Sequence, residues 1–167
     1  MKSLKKINKE DYYVKKGIEF ISQKHISFLK KRVKFTKRKR VRICLHKNQK
    51  SKLHEMIIIL SKDTYIRPHK HIDKAESLHV IEGSADVIFF DYKGKIIKKI
   101  RLTAKKDKFT FYYRLSSSVF HTFKLKSKHF IFHETTEGPL LKKKTIYAKW
   151  SPSENNQFEV KKFINTL

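Results

Sequence analysis

The run Arg67-Pro68-His69-Lys70-His71-Ile72-Asp73-Lys74-Ala75-Glu76, followed by Gly83, is the stretch that predicts both a fold and a site in this chain. Side chains of a β-strand alternate between its two faces, so His69 and His71 are expected to direct their imidazoles to the same side. Four residues of turn then separate them from Glu76, which is expected to return on the neighbouring strand of a hairpin. The spacing therefore predicts that these three side chains hold one metal ion.

The chain after Arg40 consists of short runs rich in Ile, Val, Phe, Tyr and Thr that turn signals separate, a rhythm typical of an all-β sandwich or barrel. Two of these turns, Glu82-Gly83-Ser84 and Tyr92-Lys93-Gly94, are predicted to close hairpins, because glycine adopts a positive φ without steric cost. Ten short antiparallel strands in this order suit a jelly roll. We predict the strands near residues 41–46, 55–60, 64–71, 76–82, 85–91, 95–102, 108–113, 119–125, 128–134 and 144–149.

A single helix is predicted before the strands, from Ser22 to about Lys34. Ile26, Leu29 and Val33 recur at helical spacing, and Ser22 can serve as the N-cap. A chain of 167 residues with a 39% hydrophobic fraction can build one core. We therefore predict one domain with two extensions: a basic N-terminal segment with one helix (1–39), the β-domain (40–152) and a C-terminal tail (153–167).

The formal net charge of +26 is large for this length and would attract nucleic acid, anionic lipid or phosphorylated small molecules. An A/T-rich coding bias explains the same excess, because lysine outnumbers arginine and Ile and Phe are abundant. The densest basic stretch, Phe28 to Arg40, is accompanied by no recognised nucleic-acid module. We therefore do not expect nucleic-acid binding, and an anionic small molecule is the expected partner.

Cysteine usage and hydropathy predict a reducing, cytoplasmic location. Cys44 is the one cysteine of the chain and has no partner for an internal disulfide. The segment Met1 to Lys6 lacks the apolar stretch of a secretory signal. The longest apolar run, Met56 to Leu60, is far shorter than the roughly 20 residues that span a bilayer, so no membrane span is expected.

A fourth metal ligand is expected about fifty residues after the first three, in Ser118-Val119-Phe120-His121-Thr122-Phe123. With His121 included, the sequence resembles the cupin superfamily, whose first motif is H-x-H, a glutamate after four further residues and a glycine after six more. The second cupin motif, P-x-G-x-x-H-x-x-x-N, keeps only His121, because Ser116, Ser118 and Leu125 stand at its other positions. The resemblance implies a double-stranded β-helix and four metal ligands, His69, His71, Glu76 and His121.

Further segments resemble the WbuC family of cupin-fold metalloproteins, over roughly residues 40 to 152. That family is associated with surface-polysaccharide gene clusters, and cupins often pair through their outer sheets. The resemblance thus implies polysaccharide biosynthesis and a homodimer. The segments that carry it are Arg40 to His46, Tyr65 to His71, Phe132-His133-Glu134 before Gly138-Pro139, and Ala148-Lys149-Trp150-Ser151-Pro152.

Three imidazoles and one carboxylate form a mixed nitrogen and oxygen donor set that suits one divalent transition metal, Fe, Mn, Ni, Co or Zn. Affinity order alone does not choose among these ions. A six-coordinate ion would keep two positions for water, substrate or dioxygen, whereas structural sites are usually tetrahedral and rich in thiolates. The predicted site is therefore catalytic in type.

Four further side chains are candidates for substrate chemistry. Strand parity places Tyr65 and Arg67 on the face of His69, where Tyr65 could donate a proton and Arg67 could bind a carboxylate or phosphate. Glu134 is a candidate general base or partner of a metal ligand, and His46 could line the cavity mouth. The alternatives are a core tyrosine, a surface ion pair for Arg67 and an ordinary strand glutamate.

Three functions follow from this pattern. The first is a metal-dependent enzyme that acts on a sugar or nucleotide-sugar by isomerase, epimerase or lyase chemistry, with Glu134 and Tyr65 as catalytic residues and Arg67 and His46 as substrate-binding residues. The second is an Fe(II)-dependent dioxygenase, and the third is a binding protein in which the ion only anchors a ligand. The sequence does not separate them.

Overall fold

Two facing β-sheets and two helices make up the computed structural model, which describes residues 4–15, 17–62, 64–105 and 110–167. The strands are β1 (Leu4–Lys6), β2 (Asp11–Val14), β3 (Arg40–Cys44), β4 (Leu53–Ser61), β5 (His69–His71), β6 (Glu76–Glu82), β7 (Ser84–Phe90), β8 (Ile96–Thr103), β9 (Tyr112–Leu115), β10 (Phe120–Leu125), β11 (His129–Glu137) and β12 (Thr145–Tyr147). The helices are α1 (Gln23–Val33) and α2 (Gln157–Thr166), with a single 3-10 turn at Lys142–Lys144.

The strand order shows a jelly roll. One sheet has seven strands in the order β1-β2-β3-β4-β11-β6-β9, and the other has five in the order β12-β5-β10-β7-β8. From β4 to β12 the chain crosses to the other sheet after every strand, except at the β7–β8 hairpin. The predicted all-β fold, the double-stranded β-helix of cupins with a short basic helical segment before it, is confirmed.

Strand β4 shows how the sequence builds both sides of the seven-stranded sheet. Met56, Ile58 and Leu60 point into the space between the sheets, while Ile57 and Ile59 point outward to α1. A strand buried on both faces reads as a continuous apolar run rather than an alternating one. Burial of each such side chain stabilises the fold by roughly 1.5–3 kcal/mol.

Helix α1 forms where it was predicted and covers the outer face of the seven-stranded sheet. Its buried residues Ile26, Leu29 and Val33 pack against Val41 of β3 and Ile59 of β4. The predicted helix is confirmed by this apolar contact, which is made by the three positions that recur at helical spacing.

Two of the three predicted hairpins are wrong, and one is confirmed. The hairpin predicted between His71 and Glu76 is wrong, because β5 lies in the five-stranded sheet and β6 in the seven-stranded sheet. The Glu82-Gly83-Ser84 hairpin is wrong for the same reason, since β6 and β7 lie in different sheets. The Tyr92-Lys93-Gly94 hairpin is confirmed by the antiparallel pairing of β7 with β8. Short turns look alike in sequence whether the next strand pairs with the last or crosses over the core.

Each of the ten predicted strands has a counterpart in β3 to β12, although residues 108 and 109 of one prediction lie outside the described residues. Strands β1 and β2 and helix α2 were not predicted. The two strands extend the seven-stranded sheet, and β2 runs parallel to β3. Helix α2 places Phe163 near Trp150, on the outer side of the five-stranded sheet.

In the described part of the chain no helix combines the length and the apolarity needed to cross a bilayer.

We expect Gly83→Ala to lower the free energy of unfolding by more than about 2 kcal/mol. Gly83 has φ of 83°, and a Cβ there would overlap the carbonyl oxygen of His129. Gly17→Ala is the control, because Gly17 has φ of 123° but no heavy atom within 4 Å of the added Cβ. Urea unfolding of both variants measures the difference, and an equal loss in the two would contradict the steric argument.

Candidate metal centre

Three histidines converge between the sheets. His69 and His71 lie on β5, and His121 of the adjacent β10 stands directly opposite His69 in the ladder. One ligand nitrogen from each imidazole lies within 4.8 Å of the other two. These three histidines could therefore bind one metal ion with small adjustments of their rings.

Glu76 reaches the same point from the opposite sheet, where it begins β6. Its Oε1 lies 3.1 Å from Nε2 of His121, and its Oε2 lies 3.4 Å from Nε2 of His71. The hydroxyl of Tyr113 on β9 donates a hydrogen bond of 3.2 Å to Oε1 of Glu76. The four side chains of the predicted ligand set thus come together, and they do so across the core.

The Nδ1 atoms of the three imidazoles form contacts with other protein groups, which leaves the Nε2 atoms directed at the site. Nδ1 of His69 lies 2.9 Å from the carbonyl oxygen of Arg67, and Nδ1 of His121 lies 3.0 Å from that of Val119. A carbonyl only accepts, so both Nδ1 atoms carry a proton. Nε2 of His69 then presents a lone pair, whereas Nε2 of His121 would have to lose the proton that it donates to Glu76 before it binds a metal ion. Nδ1 of His71 pairs with Oγ1 of Thr145 at 3.2 Å. Metal-binding histidines usually have such partners, so the residues present fit a divalent transition metal.

The electrostatics of the site also suit a cation. Burial, with the neighbouring His121 and His71, lowers the pKa of His69 to about 3, so this imidazole is neutral at physiological pH. Burial would raise the pKa of Glu76, but the charges of His121 and His71 and their hydrogen bonds hold it well below its usual range. In turn Glu76 outweighs burial and raises the pKa of His121. Glu76 is therefore a carboxylate that a proton on His121 or a metal ion can neutralise.

The site faces a cavity of about 330 Å³ between the sheets, with Glu134 on its wall. Glu134 lies on β11 between Met56 of β4 and Leu78 of β6, on the inner face of the sheet. Burial and the nearby Glu76 raise the pKa of Glu134 to about 7, despite the opposing charge of Arg42. A carboxyl group with this pKa can both take up and release a proton at neutral pH.

Of the two candidates that precede His69, Arg67 faces the cavity and Tyr65 does not. Arg67 lines the cavity, but its Nη2 donates to the carbonyl of Ala148 at 2.9 Å and its Nε to Oγ of Ser151 at 3.2 Å. Tyr65 is not among the cavity-lining residues, and its hydroxyl donates to the carbonyl of Pro152 at 3.0 Å. Residues 64–68 precede β5 and lie outside its ladder, so strand parity does not govern Tyr65.

His46 lines the cavity, as the sequence suggested, and it stacks on His54 with ring centroids 4.0 Å apart. Sequence reasoning missed His54 and Tyr113. His54 lies two residues before Met56, which places it on the same face of β4, but nothing in the sequence indicates what that face meets. Tyr113 could be found only from the β6–β9 pairing, which joins strands that are distant in the chain.

Comparisons with known proteins agree with this fold. Residues 21–102, just under half of the chain, match the model of a domain of unknown function, DUF6016. No protein of curated function matches the sequence. The crystal structure of protein SO0799 from Shewanella oneidensis is similar with a TM-score of 0.50 at 6% identity, over 62% of this chain and 66% of that one.

Two larger proteins are also similar in part. Oxalate decarboxylase from Bacillus subtilis has a TM-score of 0.46 at 21% identity over 57% of this chain. Procruciferin, an 11S globulin from Brassica napus, has a TM-score of 0.43 at 12% identity over 53%. The matches span only 24% and 21% of those chains. The similarity to SO0799 is one of fold alone, and none of these likenesses bears on the WbuC family.

We expect Tyr113→Phe to weaken metal binding by about 10- to 100-fold, because Glu76 loses the hydrogen bond that orients its Oε1. The matched control is Tyr112→Phe, since Tyr112 is the next residue of β9 and is 47% exposed. Competition with a chelator, read by the absorption of bound Co(II), gives both affinities. Equal affinity in the two variants would show that Tyr113 does not position Glu76.

We expect Glu134→Gln to stabilise the metal-free protein at pH 8 relative to the wild type. The pKa of Glu134 is raised to about 7 in the folded state, so the stability contributed by its protonation is full below about pH 4.5 and is lost as pH rises through 7. Glutamine does not titrate, so the free energy of unfolding of the variant relative to that of the wild type should rise by roughly 1–3 kcal/mol between pH 5 and pH 8.

Urea unfolding at the two pH values measures this gain. Glu137→Gln is the control, because Glu137 is exposed on the same strand and glutamine keeps an oxygen to accept from the amide of Ala75. A wild-type pH profile in the Glu134→Gln variant would contradict the raised pKa of the Glu134 carboxyl group.

Proposed function

We propose that this chain is a divalent-metal-dependent enzyme that acts on a sugar or nucleotide-sugar by isomerase, epimerase or lyase chemistry. The observation that carries the proposal is the convergence of His69, His71, His121 and Glu76 beside a cavity that also holds Glu134. The donor set is mixed nitrogen and oxygen without thiolate, which is typical of catalytic rather than structural sites.

The ligands would be the three Nε2 atoms and the Glu76 carboxylate. A bound divalent ion would supply Lewis acidity at a carbonyl or hydroxyl oxygen of the substrate. The carbonyls of Arg67 and Val119 fix the imidazole tautomers. Glu134 takes a proton from substrate carbon or oxygen and returns it, because its pKa of about 7 balances both states near neutrality.

The assignment to surface-polysaccharide biosynthesis rests on the resemblance to the WbuC family. The homodimer rests on the same analogy with cupins, and analytical ultracentrifugation would test it.

Of the other candidate functions, a binding protein needs the ion but not the proton transfer at Glu134. Glu134→Gln therefore separates the two: an enzyme loses turnover while ligand affinity stays, whereas a binding protein never converts its ligand.

We expect about one equivalent of a divalent transition metal in the purified protein, and less than a tenth of that in His121→Ala, because removal of one of four ligands opens the site. His79→Ala is the control, since His79 is exposed and lies beside Phe111 rather than in the cavity. Elemental analysis gives the ratio of metal to protein in each variant.

Turnover of a nucleotide-sugar panel should cease on chelation and return with one ion, and turnover without metal would reject the mechanism.

A further inference from the structure

The acidic side chains that line the cavity beside the metal centre equal the lysines and arginines there in number, although the chain as a whole has a net charge of +26. Five of the 15 acidic residues line it, against five of the 41 lysines and arginines. The acidic residues are Glu10, Asp11, Glu76, Glu134 and Glu154, and the basic residues are Arg38, Arg40, Arg42, Arg67 and Lys74. The excess of lysine and arginine over acidic residues therefore lies outside the cavity.

The arginines at the β3 end of the cavity are already paired with carboxylates. Nε of Arg42 lies 2.5 Å from Oδ1 of Asp11, and Arg38 forms an ion pair with Glu10. Nη2 of Arg40 lies 3.5 Å from Oε1 of Glu154. A phosphate placed here would meet these carboxylates as well as the guanidinium groups, so it would gain little net attraction.

Arg67 and Lys74 are the two remaining cations of the cavity wall. The Arg67 guanidinium donates to Ala148 and Ser151 and stacks 5.5 Å from the ring centroid of Tyr147. Burial lowers the pKa of Lys74, and the charges of Glu134 and Glu76 oppose that shift. Burial lowers the pKa of His46 to about 4, so this imidazole adds no positive charge at neutral pH.

The wall is rich in both hydrogen-bond donors and acceptors. Guanidinium groups only donate and carboxylates only accept, while each hydroxyl of a polyol does both. The Arg42–Asp11 pair joins β3 to β2, and β3 is three strands from β6 and Glu76, so the backbones are about 14 Å apart. The two ends of the cavity therefore offer separate polar contacts to one small molecule.

We propose that this cavity binds an uncharged polyhydroxyl group, a sugar ring without phosphate, between the metal centre and the Arg42–Asp11 end. The inference rests on the proposed function in that it names the substrate class of the same site. It replaces the anionic ligand that the net charge predicts, because total charge describes the outer surface and not this cavity. Phosphates of a nucleotide-sugar would lie outside the cavity.

Matched pairs of ligands test the proposal: D-mannose with mannose 6-phosphate and D-glucose with glucose 6-phosphate. Calorimetry on the full chain, metal-loaded and metal-free, gives each dissociation constant. We expect the uncharged member of at least one pair to bind about tenfold more tightly than its phosphate or better. Tighter binding of the phosphates, or no binding of any probe up to about 50 mM, would overturn the proposal.

Variants that remove one carboxylate from the cavity wall test the electrostatic argument directly. Glu154→Gln removes the partner of Arg40 and should shift the preference toward the phosphate about threefold or more, and Glu10→Gln should do the same through Arg38. Glu159→Gln is the control, because Glu159 lies on α2 and outside this cavity. An unchanged preference in both folded cavity variants would overturn the electrostatic argument.

The two proposals fail separately. Sugar binding that shows this preference in a protein that retains no metal would reject the metal enzyme alone. Retention of one metal with a preference for phosphates would reject the uncharged ligand alone.

Discussion

The contact of Glu76 with His71 and His121 is the interaction on which the rest of this molecule depends, because it joins two sheets that share no backbone hydrogen bonds at this point. Glu76 comes from the seven-stranded sheet and the histidines from the five-stranded one. A buried carboxylate is costly unless positive groups and donors surround it. Here imidazoles and the hydroxyl of Tyr113 fill that role, and a divalent cation fits the same place.

Strand β11 connects this centre with the cavity. Glu134 lies on it in the row between Met56 and Leu78, near enough to Glu76 for the two carboxyl groups to influence each other. Two carboxyl groups in one poorly solvated space separate in pKa, so one stays ionised and the other holds its proton near neutrality. This division gives the site one group for a cation and one for proton transfer.

Much of the fold was predictable because its signals are local. The apolar run of β4, the helical spacing of Ile26, Leu29 and Val33, and the glycine turn before β8 each act within about ten residues. Strands β1 and β2 could not be predicted, since three or four residues in a lysine-rich segment gain their place only by pairing with β3. The hairpins expected at Glu76 and Gly83 failed because a turn does not reveal which sheet receives the next strand.

The sequence by itself determined the strand rhythm, the helix before the jelly roll and the identity of the four candidate ligands, because alternation and motif spacing are properties of neighbouring residues. Only the tertiary structure decided that Glu76 approaches from the opposite sheet, that Tyr113 supports it and that Tyr65 lies elsewhere. It also decided where charge lies: a sum over the chain gives +26, whereas acidic residues equal lysines and arginines in number on the cavity wall. Contacts between strands distant in sequence depend on register and sheet order, which no local pattern encodes.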